Sequence, residues 1–206
     1  RKGFFGLNDV YVQKQDLLYD GFNKLFRLVF RHKHFDGEWS ELLDREVFQR
    51  RDAVGVLLYD PSLDKVVLVE QFRAGAFMGN NQPWNLEVVA GMIDNDESPV
   101  DVAIREVLEE SGCKVRAEYM ERFCRFLVSP GAATEVVTCF CAKVDSRGVG
   151  GVFGCENEGE NIRVHVLKYE DAVNVINNNN TNIALTVICL QWLELNRYRL
   201  RSKWLV

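Results

Sequence analysis

Residues 91–113 read GMIDNDESPVDVAIREVLEESGC, and the reading of this stretch decides the fold of the chain. Ser98 followed by Pro99 and Asp101 is a helix start: a hydroxyl at the N-cap, a proline at the first helical position and an acid in the first turn. Gly112 is the natural stop. At 3.6 residues per turn Glu106, Glu109 and Glu110 fall within about 100° of arc, so three carboxylates project from one side while Ala103 and Val107 can face a core. Arg105 is the only base nearby in sequence, and an uncompensated acidic cluster at helical spacing repels itself.

An acidic helix face is ordinarily a solvated one. The spacing argues otherwise. Gly91, Glu97, Arg105, Glu106, Glu109, Glu110 and Gly112 follow the pattern G-x5-E-x7-R-E-U-x-E-E-x-G-U, with U a bulky aliphatic. With each fixed position met by chance about once in fifteen, the set arises at random on the order of once in 10^8 windows. A solvated face requires no such spacing. An oxygen-rich, rigid cluster short of cations suits a hard divalent ion such as Mg2+, which keeps several waters and shares its coordination with substrate phosphates.

The 206 residues, 47% of them hydrophobic, suit one globular domain with a substantial core and an accessory segment. No run approaches the length of a membrane-spanning helix, and the opening RKGFFGLNDV has too short an apolar run for a secretory leader. A net charge of −5 disfavours nonspecific binding to nucleic acid or anionic lipid. The six cysteines include no C-x-x-C pair and the three histidines are scattered, so a zinc site is not expected, reduced thiols in the cytoplasm are, and an all-oxygen site remains.

Residues 1–50 alternate apolar and polar residues in short runs broken at Asp20-Gly21 and Asp36-Gly37, which predicts a small antiparallel meander set apart from a main domain over 51–206. Arg27, Arg31, His32 and Lys33 read as a solvated strand face. AVGVLLY (53–59) and KVVLVEQF (65–72) flank the turn DPSLD as a hairpin. A strand from Trp84 to Val89 runs into Ala90-Gly91 and the helix; Met120–Val128 and Val136–Val144 follow as strands separated by SPGAATE. The Gly-rich, acidic stretch 145–161 reads as a mobile loop, IRVHVL as a strand, KYEDAVNVI as the start of a helix ending in the Asn177–Asn180 run, and TNIALTVICLQWLELNRYRL as a long amphipathic helix packed on the sheet.

The glycine, arginine and glutamate pattern is the Nudix box, and the order strand, box, strands, acidic loop, strand, helix resembles the Nudix hydrolase fold, an α/β (αβα) sandwich around a mixed sheet. YDGF (19–22), VEQFR (69–73), SPGAATE (129–135) and ENEGENIRVHV (156–166) extend the resemblance over nearly the whole chain to the bacterial ADP-ribose pyrophosphatases, with Pro130 a mark of that subgroup. What the resemblance implies is Mg2+-dependent hydrolysis of the pyrophosphate of ADP-ribose, with two or three ions and Mn2+ able to substitute. The ions would be held by the Ala90 carbonyl, Glu106, Glu110 and Glu160. Glu158 is implied as the base, with Glu109 and Arg105 in the catalytic set; a slip of one or two residues in the loop brings Glu156 into play. Phe22 corresponds to an aromatic that stacks on adenine, and its place in the N-terminal segment implies a homodimer with exchanged arms. Arg45, Glu46, Arg50 and Arg73 match polar contacts to nucleotide and phosphates, and Met92, Ser129, Gly131 and Glu135 match positions at the ribose and phosphate end. Arg50, within QRRD, could equally be an exposed charge. Cys113 departs from the usual aliphatic at the last box position but packs as a small hydrophobe. A pyrophosphatase for GDP-mannose or UDP-glucose, and a non-catalytic nucleotide-sugar sensor, are the alternatives; sensors usually lose box glutamates, and here all three are present.

Overall fold

The structure is a computed structural model and describes residues 5–94, 96–178 and 181–205. The first four residues of the opening stretch, Asn95 within the box, the last two of the Asn177–Asn180 run and Val206 lie outside the described residues. The chain divides into two compact units, one of the described residues of Arg1–Asp52 with Phe126–Val136, the other of Ala53–Arg125 with Val137–Val206.

In the first unit, β1 (Val10–Asp20), β2 (Lys24–His32) and β3 (Leu43–Gln49) form an antiparallel three-stranded sheet in the order β1-β2-β3. The predicted break at Asp20-Gly21 is the β1–β2 turn, with Asp20 opposite Lys24. The SPGAATE segment folds back on itself through Ala132 and Ala133 N–H groups that donate to the Ser129 carbonyl, and it is tied to β3 by Phe48 N–H to Ala132 O at 2.7 Å and Thr134 N–H to Phe48 O at 3.1 Å.

The second unit is built on β4 (Ala53–Asp60), eight consecutive residues all buried. Such an unbroken apolar run belongs to a strand covered on both faces. Antiparallel to it is β5 (Lys65–Phe72), followed by the short α1 (Ala74–Met78), then β6 (Trp84–Glu87), β7 (Val89–Met92) and α2 (Pro99–Ser111). The remaining elements are β8 (Met120–Leu127), β9 (Val136–Lys143), β10 (Gly151–Phe153), β11 (Ile162–Lys168), α3 (Tyr169–Asn177) and α4 (Ala184–Trp204). Among the described residues the mixed sheet runs β10-β11-β5-β4-β9-β8, with β6 paired to β5 and β7 to β4, and β4 and β9 are parallel. No helix among the described residues is long and apolar enough to cross a membrane.

Alternation along β4 sorts the two helical layers. Val54, Val56 and Leu58 pack in one cluster with Val102, Ala103 and Val107 of α2, each buried valine contributing about 1.5–3 kcal/mol. Gly55 points the other way, against Leu185 of α4. A helix on each face of a mixed sheet is the expected αβα sandwich.

Two expectations change in detail. The strand predicted over 84–89 is two strands, because Val88 is where the chain leaves β5 and joins β4. The stretch 145–161 is not irregular throughout: it contains β10, added to the edge of β11, and a turn of 3-10 helix over Glu156–Glu158.

Candidate active site

The box helix forms for the reasons its sequence suggests. Ser98 Oγ accepts from Asp101 N–H at 3.2 Å, Pro99 opens the first turn, and Gly112 closes the last with φ +67°, its N–H donating to the Leu108 carbonyl at 3.0 Å. A side chain at Gly112 would be strained by that φ and would meet the Phe153 ring.

Glu110 is 2% exposed. Its Oε2 accepts the Ala90 N–H at 3.2 Å from β7, and its Oε1 accepts Gln71 Nε2–H at 3.2 Å from β5. Glu106, one turn back, lies against the backbone of Gly91, where a Cβ would overlap its carboxylate. Gly91 is therefore required by close approach. Two carboxylates thus converge on the Ala90–Gly91 peptide, in β7 where the box begins. Burial pushes the Glu106 carboxyl up to about 7 and the Glu110 carboxyl up to about 8, with the neighbouring acids adding to the effect.

Arg105 donates to Glu106 at 2.9 Å and Glu109 at 3.1 Å, and reaches Glu97 at 3.4 Å. Arg105 is the nearby base in sequence, and Arg73, distant in sequence, adds to the positive field at Glu110. Arg73, just past the end of β5, is held by Glu87, a carboxylate 3% exposed on β6, through contacts of 3.0–3.2 Å. Burial works against the Arg73 charge, but Glu87, joined by Glu110 and Glu160, more than offsets it and holds the guanidinium above its ordinary range.

In the acidic loop, the Glu160 charge is felt at both Glu106 and Arg73, and its Oε2 accepts the Cys155 N–H at 3.0 Å. Glu156 and Glu158 are both exposed in the 3-10 turn. Met92 ends β7, opposite Ala53.

The remaining candidate residues lie in the first unit. Arg50 Nη1 donates to Glu135 Oε2 at 2.7 Å, and the Arg50 N–H and carbonyl both engage Thr134 Oγ1. Arg50 is thus part of a built contact rather than a free surface charge. Phe22 is 71% exposed, with the Arg51 guanidinium 5.1 Å from its ring centre. Arg45 and Glu46 are exposed on β3, with Arg45 Nη1 donating to the Asp44 carbonyl at 2.7 Å. Ser129 and Gly131 are exposed in the SPGAATE turn.

Two polar side chains escaped the sequence reading, Gln71 and Glu87. A signal for the first existed: Val67, Val69 and Gln71 share one face of β5, so a polar group stands at a core-facing position.

The donor set fits a hard divalent cation. It is all oxygen: two converging carboxylates whose burial disfavours their charge until an opposite charge arrives, and the adjacent carbonyl of Ala90. Among the described residues no group of three acidic, histidine or cysteine side chains is placed to hold a metal ion; Mg2+ generally keeps several waters and shares its coordination with substrate phosphates.

A strand, the box that follows it and its acidic helix on a mixed sheet define a Nudix protein, and the NUDIX domain model matches residues 49–186; the chain belongs to that family, whose members generally use divalent metals. More particularly, it is 40% identical over 200 residues to the ADP-ribose pyrophosphatase of Escherichia coli (strain K12), covering 97% of this chain and 95% of that one. It is 38% identical over 203 residues to the ADP-ribose pyrophosphatase of Haemophilus influenzae, covering 97% and 93%. The GDP-mannose pyrophosphatase of Escherichia coli O1:K1 is 31% identical over 189 residues, covering 91% and 96%.

Proposed function

We propose that this protein hydrolyses the pyrophosphate bond of ADP-ribose, water adding across P–O–P to give AMP and ribose 5-phosphate. The observation that carries the chemistry is the convergence of Glu106 and Glu110 on the Ala90–Gly91 peptide. The substrate class rests on the relatives, which match over nearly full length.

In this reading Glu106, Glu110, Glu160 and the Ala90 carbonyl hold two or three Mg2+ ions, replaceable by Mn2+. When bound, Mg2+ neutralises the diphosphate and makes water a better nucleophile. Glu158 orients that water and takes its proton. Arg105 restrains Glu106 and Glu109 so that their oxygens stay aimed, and Arg73 presents a fixed positive charge to the phosphates. Phe22, Arg45, Glu46, Arg50, Met92, Ser129, Gly131 and Glu135 contact the nucleotide, ribose and phosphate parts. A homodimer with exchanged N-terminal arms in the cytoplasm is part of the same proposal: β1 leaves Val10, Tyr11, Val12, Leu17, Leu18 and Tyr19 exposed, apolar area that a second copy would cover.

The GDP-mannose pyrophosphatase match supports a second reading in which the base differs. A panel of ADP-ribose, GDP-mannose and UDP-glucose with Mg2+, scored for turnover and products, decides between them. ADP-ribose is expected to have the highest kcat/KM. E110Q, which removes an inner carboxylate, is expected to lose at least about a hundredfold in turnover while keeping its fold; an E110Q as active as wild type rejects the assignment.

A further inference from the structure

The strand carrying Ala90 changes partner midway. β6 pairs with β5 up to Glu87, opposite Val69, and β7 pairs with β4 from Val89, opposite Val56. Val88, fully buried, lies between the two ladders. Its N–H donates to Thr186 Oγ1 at 3.1 Å, a fully buried hydroxyl in the first turn of α4 and 98 residues away. A buried N–H left without an acceptor loses its hydration with nothing in return, so position 186 calls for a hydroxyl where a helix packed on a sheet would otherwise place an aliphatic group.

The same helical turn makes a second contact. Leu185 fills the space over Gly55, its Cδ1 lying 2.6 Å from where a Cβ would be, and Gly55 is the β4 partner of Ala90. Leu185 and Thr186 therefore brace the backbone beside Ala90 and before it, from the sheet face opposite α2. Ala90 is the residue whose N–H fixes Glu110.

We infer that Thr186 is a positioning residue for the hydrolytic reaction, acting through Val88 to fix the Ala90 peptide against which the cation ligands are set. The inference rests on the reading of Ala90, Glu106 and Glu110 as those ligands. Contacts behind metal ligands are typically worth ten- to a hundredfold in affinity (about 10–100), the range in which this one is expected.

The test uses the full chain with Mn2+ as probe, free Mn2+ being followed by electron paramagnetic resonance well below the Tm of each variant. T186V keeps the shape and removes the acceptor; T186S keeps the hydroxyl. T186V is expected to bind Mn2+ about tenfold more weakly, and to need about tenfold more Mg2+ for half-maximal rate, while KM for ADP-ribose at saturating Mg2+ stays within about twofold. T186S stays near wild type on every count. V175A, a core change in α3, lowers Tm and leaves Mn2+ affinity unaltered, which distinguishes positioning from general loosening.

Wild-type Mn2+ affinity in T186V overturns the inference whatever its Tm, as does T186S binding as weakly as T186V. Should T186V not fold, T186A, which removes the same acceptor with a smaller side chain, carries the same test, and unchanged Mn2+ affinity there overturns it. E110Q distinguishes the two levels: Mn2+ binding retained in E110Q removes the cation site itself, whereas binding lost in E110Q and intact in T186V leaves the site and removes the role of Thr186.

Discussion

Gln71 shows how a single polar residue can be read once its neighbours are placed. It is 6% exposed on the face of β5 that otherwise buries valine, and it donates to one oxygen of the Glu110 carboxylate while the Ala90 N–H donates to the other. Replacing it by methionine keeps the length and removes the donor. Q71M is expected to weaken Mn2+ binding by about tenfold and to raise the Mg2+ requirement in parallel; a Mn2+ titration indistinguishable from wild type would show that the Ala90 N–H suffices. The acids and Arg105 were legible in the sequence because their spacing is set by the local geometry of one helix. Gln71 was legible only as a polar break in a buried strand face, since its partner Glu110 lies 39 residues away on the packed helix, and Glu87 was not legible, because Arg73, 14 residues away, is brought to it by the pairing of β5 with β6.

At the level of elements, α2 was legible at both ends. Its capping serine, N-terminal proline and left-handed glycine act through bonds within a few residues, and such signals survive without tertiary context. G112A should therefore cost about 1–2 kcal/mol from the backbone conformation alone, lowering Tm by about 2–4 °C for each kcal/mol, with further loss from contact with Phe153. Differential scanning calorimetry showing an unchanged Tm would contradict the left-handed cap. The partner change at Val88 had no local mark: WNLEVVA continues as one apolar strand, and only the positions of β4 and β5 divide it. The acidic loop was half legible. Its glycines and acids marked a connection, but the pairing of β10 with β11 is a tertiary event. Since Glu156 and Glu158 share one exposed turn, kinetics decide between them: E158Q is expected to lower kcat by about a hundredfold or more with little change in KM, and a larger loss in E156Q would move the base by two residues.

For the molecule as a whole, the buried acids couple stability to pH. Burial raises Glu106 to about 7 and Glu110 to about 8, above the ordinary glutamate value, so the folded state holds protons that the unfolded chain has released. That favourable difference is complete at low pH and is lost as pH rises through these values, so without divalent ion Tm should fall between about pH 5 and pH 8. A cation binds the deprotonated form, so Mg2+ should release protons near pH 6.5 and flatten the decline. Titration calorimetry in two buffers of different ionisation enthalpy, beside melting curves with chelator and with Mg2+, measures both effects; identical heats in the two buffers would mean that the carboxylates are already charged. The layered sheet was legible from the apolar runs of β4, β5 and β9, whereas its strand order was not, because periodicity states that a strand is covered and not by which neighbour.

The parallel pairing of β4 with β9 joins Ala53 to Val137 and Tyr59 to Lys143, which has a bearing on synthesis. While the polypeptide is leaving the ribosome, the most buried strand of the second unit waits with a bare flank until more than eighty further residues have been added, and the turn bearing Thr186 emerges later still. An unpaired apolar edge of this kind invites association with other nascent chains. Maturation of this protein is thus expected to be gated by completion of its C-terminal half, and shielding of that edge by a chaperone should raise the yield of active molecules.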